Sequence, residues 1–190
     1  VRMGPAAHGD IAVVGHRDLT DGSLRWVESA VRTRLARHSA RATAMVRAGA
    51  GTPLASGRAA RASGCPLAVV IPTVIGVPAL PPPQDRPATG ELLTLADQVR
   101  LLDYDPTDRD ACVVADERLV AAGSLLLAVW DGSPSDGRDA TAHLVTYARA
   151  RGIPVEVLWP EGAARDRTPR DRTSHARTPR DRTSHARTSF

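Results

Sequence analysis

Short apolar runs rich in β-branched residues recur along this chain, and segments of helical spacing or glycine turns separate them. The runs cover 11–14, 43–46, 67–71, 99–102, 124–130 and 155–158. Each is too short for a buried helix, and buried parallel strands read this way. Between them, Leu24, Val27, Val31 and Leu35 recur at helical spacing over 22–37. That spacing gives one apolar face. Further helices are predicted over 53–63, 91–96, 108–122 and 140–151, and a proline-rich loop over 73–88. Strand–helix alternation of this kind requires right-handed crossovers. The expected fold class is therefore α/β: a doubly wound, Rossmann-like, mainly parallel sheet of about six strands.

The chain of 190 residues is 42% hydrophobic. That is enough to bury a core without disulfides. Cys65 and Cys112 are far apart in apolar surroundings and read as free thiols. No metal-ligand spacing appears, so neither a metal nor a cofactor is expected. No apolar run is long enough to cross a bilayer, and no leader-like stretch opens the sequence; a cytoplasmic protein with no membrane partner is expected. A homodimer is expected only because symmetric oligomers are common.

The net charge of +4 is unevenly placed. Residues 163–190 hold eight Arg and three Asp, which leaves 17 Arg and 18 acidic residues in 1–162. The decapeptide RTPRDRTSHA occupies 167–176 and repeats letter for letter at 177–186. The division is thus a folded domain over 1–162 and an arginine-rich repeat tail over 163–190. The tail's composition favours disorder, with at most weak nucleic-acid contact. The nearly neutral domain offers no basic nucleic-acid face.

In an open parallel sheet, ligands bind beyond the carboxyl ends of the strands. Three loops fall there. Gly15-His16-Arg17 follows the first strand: Gly15 permits close backbone approach, His16 exchanges protons near neutral pH, and Arg17 can fork onto a phosphate. The plainer alternative is a tight turn with a structural His and a solvated Arg. Gly49-Ala50-Gly51-Thr52 leads into a helix whose N-terminus would favour an anion, or is an ordinary turn. The third loop follows Trp130, a base-stacking or packing residue, and contains Asp131, Gly132 and Gly137 before Thr141. There Asp139 would repel an anion and is expected to cap the helix instead. Candidate acid–base groups are Asp131, Asp116 and His143; Asp116 and Glu117 also read as a solvated helix face.

The segments IAVVGHRDLT, GAGTPLA…RASGCPLAVVIPT and LLLAVWDGSPSDGRDATAHLVTYARARGIPVEVLWPEGA resemble the SLOG superfamily. That group holds the LOG phosphoribohydrolases and the DNA-processing protein A-like domains, and the likeness is greatest to an actinobacterial branch. It spans 11–163. The resemblance implies a Rossmann-like fold that binds nucleotides or nucleotide derivatives. The chain departs from the pattern at Gly51, Ser56 and Ser124, where the branch is commonly acidic. Asp139-Ala140-Thr141 stands in place of Gly-Gly-Thr. Leu144 stands where active LOG enzymes carry a Glu, and an alkyl chain cannot assist glycosidic cleavage. The expected function is a binding protein, sensor or carrier, for a nucleotide-like molecule. The alternatives are a phosphoribohydrolase-like enzyme and a ligand-free interaction module working through its tail.

Overall fold

The computed structural model describes residues 9–38, 42–136 and 139–166. In chain order the elements are β1 (Asp10–Gly15), α1 (Asp21–Ala36), β2 (Thr43–Arg47), α2 (Thr52–Ser63), β3 (Leu67–Val74) and β4 (Val77–Pro78). A 3₁₀ turn at Pro83–Asp85 leads to α3 (Arg86–Leu95), β5 (Gln98–Asp103), α4 (Arg109–Ala122), β6 (Leu125–Val129), α5 (Thr141–Ala150) and β7 (Val155–Leu158). The sheet runs β4-β3-β2-β1-β6-β7, with β5 also on β3, and every pairing except that of β4 is parallel.

Alternating residues of the same strands build two cores. Ile11 and Val13 of β1 and Leu127 and Val129 of β6 face Val27, Val31 and Leu35 of α1, Ala59 of α2 and Leu92 of α3. Ala12 and Val14, with Leu126 and Ala128, face Leu119 of α4 and Leu144, Val145 and Ala148 of α5. Helices therefore cover both faces, which is why the strand sequences read as unbroken apolar runs rather than alternating ones. The doubly wound fold class holds. Among the described residues, no helix is long and apolar enough to cross a membrane.

Three expectations change. The 73–88 segment is not a plain loop: β3 runs on through Pro72, β4 pairs back on it, and α3 begins at Arg86. Pro87 sits in the first turn of α3, where a missing N–H costs nothing, so it starts the helix rather than excluding it. Pro72 still accepts from the Ala79 N–H, and β2 has ended its ladder by Val70. Among the described residues the sheet has seven strands, one more than the six read from the sequence. Finally, 163–166 lie on the domain and not beyond it: Leu19 and Arg165 form an antiparallel bridge, and the Thr20 N–H donates to the Ala164 carbonyl. The decapeptide repeats, 167–186, lie outside the described residues.

Candidate functional site

A cleft of about 250 Å³ opens at the carboxyl ends of the strands. It is lined by Gly15, Ala48, Pro72 and Tyr104, by Pro82 and Asp85, and by residues of α4 and the start of α5. The two glycine turns meet at this rim because they pack on each other. Gly51 caps α2 with φ of +76°, and a Cβ there would lie 2.5 Å from the Arg17 carbonyl oxygen. A Cβ on Gly15 would lie 2.6 Å from that of Val129. Close approach of the protein's own chain therefore explains both glycines.

Among the described residues three guanidinium groups line the cleft, and each has a partner. Arg17 pairs with Asp85, whose Oδ1 also accepts the Ala50 N–H. Arg47, the last residue of β2, forks onto Asp116 of α4 at 2.6 and 2.9 Å and lies over the Tyr104 ring. Burial pushes the Tyr104 phenol up to about 12 against the pull of Arg47. Arg109 donates to the Asp136 carbonyl at 2.7 Å. A planar fork on a carboxylate uses the same geometry a guanidinium presents to phosphate, so an incoming anion competes with these pairs.

Behind the cleft, His16 is only 1% exposed. Its Nδ1 lies 2.6 Å from Asp139 Oδ2, and its Nε2 lies 2.9 Å from Asp131 Oδ1. Burial alone would lower the imidazole pKa, but the hydrogen bond and charge of Asp139, helped by Asp131, outweigh it and hold the value above the ordinary one. Asp131, despite some burial, is held down at about 2 by the Ser133 hydroxyl and N–H and by His16. The Thr52 hydroxyl donates to the His16 carbonyl at 2.6 Å, and Trp159 meets the ring edge-on. Asp139 Oδ1 accepts the Thr141 N–H at 2.7 Å. The N-cap of α5 is Ala140, which has no side-chain cap, so Asp139 does not cap the helix as expected; from one position earlier its carboxylate takes the first N–H of α5 and also serves the imidazole.

Of the residues singled out in the sequence, Gly15, Arg17, Cys112, Asp116, Asp139, Thr141 and Leu144 line the cleft. His16 is buried behind it. Gly49, Gly51 and Thr52 shape the turn beside Arg17. Trp130, Asp131 and Gly132 form a separate loop off the cleft, where the Trp130 indole N–H donates to the Ser133 carbonyl. His143 is exposed and pairs with Glu117 at 2.6 Å. Gly137 lies outside the described residues. Sequence reasoning missed Arg47, Asp85, Tyr104 and Arg109. Arg47 had a signal, a charge ending an otherwise apolar strand at its carboxyl end; Asp85 and Tyr104 lie in loop segments with no periodicity to orient them, and Arg109 opens the predicted helix with nothing in the sequence to show that it faces the cleft.

His16, Asp18 and Asp139 bring ligand-type atoms within 4.8 Å of one another, an arrangement that can hold a metal ion, which the sequence spacing did not suggest. The Arg165 guanidinium already serves this charge, bonding Asp18 at 2.9–3.1 Å. An ion would have to displace it.

No protein-family model and no curated protein matches the sequence. Solved structures do. DNA processing protein A from Helicobacter pylori is similar over 84% of this chain and 70% of its own, at 11% identity and a TM-score of 0.57. The Streptococcus pneumoniae protein of that name matches over 79% and 50%, at 18% identity and 0.55. The molybdenum cofactor carrier protein from Chlamydomonas reinhardtii matches over 80% and 76%, at 17% identity and 0.51. The chain shares its Rossmann-like α/β fold with these proteins.

Proposed function

We propose that this domain binds a nucleotide or nucleotide-derived anion in the rim cleft and holds it without cleaving a glycosidic bond. The observation that carries the reading is the cleft itself: it lies at the strand ends where open α/β sheets take ligands, with Arg17, Arg47 and Arg109 around it. Val14 and Leu144, on the α4–α5 side of the sheet, give the cleft an apolar edge for the uncharged part of the ligand. The anionic end belongs beside Arg17 and Arg109, away from the Asp139 carboxylate.

Leu144 supports binding over catalysis. It lines the cleft at the position where the resemblance calls for a catalytic Glu. Of the acid–base candidates only Asp116 reaches the cleft, and Arg47 engages both its oxygens. A carrier among the structural neighbours fits a protein that holds its ligand unchanged.

Calorimetric titration with the common nucleoside monophosphates tests the reading. Binding is expected, weakened about 10- to 100-fold in R17A, since a hydrogen bond to a charged group contributes about 1.5–3 kcal/mol. No heat at millimolar nucleotide would remove the proposal. Free base released on prolonged incubation would replace it with the enzyme reading.

A further inference from the structure

The Arg165 side chain is 6% exposed and does not line the cleft, yet it joins the two loops that place Arg17 and Arg109. On one side it forks onto Asp18, the residue after Arg17. Its Nε lies 2.9 and 3.1 Å from the two carboxylate oxygens, and its Nη2 donates to Oδ2 at 3.0 Å. On the other side Nη1 donates to the Ser133 hydroxyl at 3.1 Å, and Nη2 lies 3.7 Å from Asp136 Oδ2. Asp131 and Asp139 come within 4.0 Å of the same group. A guanidinium can hold both sides at once because its donors diverge in a rigid fork.

The two sides differ in how they are tied. The Asp18 side is fixed by backbone: its carbonyl takes the Asp166 N–H, Leu19 bridges Arg165, and the Arg17 backbone packs on Gly51. The other side leads to Arg109. The Asp136 N–H gives to the Asp139 carbonyl at 3.0 Å, and Asp136 Oδ1 takes the Asp139 N–H at 2.9 Å. The Asp136 carbonyl then takes Arg109 Nη2 at 2.7 Å. Arg109 is half exposed, and its contact with the exposed Asp110 carboxylate is longer, at 3.5 Å. The Asp136 carbonyl is therefore the group that directs the Arg109 guanidinium.

We propose that Arg165 is a positioning residue for the cleft: by joining Asp18 to Ser133 and Asp136 it sets the spacing between Arg17 and Arg109, and so the affinity for the anionic end of the ligand. This rests on the nucleotide-binding reading above. Arg165 touches no ligand. Without it Arg109 keeps its charge, but the side chain has to be ordered when the ligand arrives rather than beforehand. Immobilising one long side chain on binding corresponds to about two- to twelvefold in affinity.

Two variants of the full chain test this. R165Q removes the fork. R165K keeps a charge beside Asp18, but a single ammonium does not span both loops. Calorimetric titration with the four common nucleoside monophosphates should show both variants binding about two- to twelvefold more weakly than the wild type. In an R109Q background the same changes should alter affinity by less than about twofold, because Arg165 acts through Arg109. Equal losses in the two backgrounds, or full affinity in R165K, would overturn the proposal. Amide hydrogen exchange without ligand supplies a second measurement. Exchange at Asp136 and Asp139 should accelerate at least about fivefold in both variants, while Val13 of β1 keeps its protection. Unchanged exchange at Asp136 and Asp139 overturns the proposal, and so does loss of Val13 protection in both variants, which makes Arg165 a general stabiliser. If the wild type binds no monophosphate, the nucleotide-binding reading falls instead. The exchange rates, which need no ligand, then decide whether Arg165 holds the loop that directs Arg109.

Discussion

Replacing Asp139 with Asn removes one negative charge and leaves an almost unchanged shape, so it isolates what the His16–Asp139 contact contributes. Asn keeps an oxygen for the Thr141 N–H, so that bond to the start of α5 is retained. What is lost is a 2.6 Å charged hydrogen bond between two buried groups. Such bonds contribute about 1.5–3 kcal/mol, and D139N should cost that much where His16 is protonated. The sign with pH follows from linkage. His16 in the folded chain titrates above its ordinary value of 6.5. Its contribution is therefore complete below about 6.5 and fades as the pH rises through the folded value. Once neutral, the ring can turn Nε2 to accepting the Asp131 N–H, 3.2 Å away, and it needs Asp139 less. Urea unfolding of wild type and D139N at pH 5.5 and pH 9 measures both quantities. The expected gap is about 2 kcal/mol at the lower pH and under about 1 kcal/mol at the higher. A gap of the same size at both, or none at either, would refute the idea that a protonated His16 ties β1 to α5.

Other outcomes follow from the same geometry. Asp131 titrates at about 2 in the fold against an ordinary 3.8, so its contribution is lost as the pH falls across that interval, and D131N should flatten the acid limb of the thermal-melting profile. G51A forces a Cβ toward the Arg17 carbonyl at a positive φ and should cost about 1–3 kcal/mol by denaturant unfolding. D116A leaves the mostly buried Arg47 guanidinium unpaired and should cost about 3–5 kcal/mol, whereas an R47M/D116L chain that removes both charges should recover most of it.

The fold was legible because buried parallel strands and amphipathic helices leave periodic traces; α1, with Val27, Val31 and Leu35 on one face, is the clearest case. The stretch from Pro72 to Ala88 was not, since prolines there serve as a strand residue at Pro72 and a helix opener at Pro87, two uses the letter alone does not separate. At the site, Gly15 and Arg17 were legible from their place after β1. The environment of His16 was not, because Asp131 and Asp139 reach it across more than a hundred residues of sequence. Arg165 was hidden for a compositional reason: its neighbours look like solvated tail, and only the carboxylates of a distant loop distinguish it from the arginines that follow.

The Asp139 carboxylate at the head of α5 bears on selectivity. A helix dipole pointing into a cleft is ordinarily an open invitation to any small anion; here the seat is already taken by a tethered guest of like sign. Free phosphate or sulfate gains nothing from that end of the cavity. On the proposed binding role, discrimination would have to come instead from a molecule long enough to reach the arginines from the Leu144 end, which makes span as well as charge a criterion for the ligand.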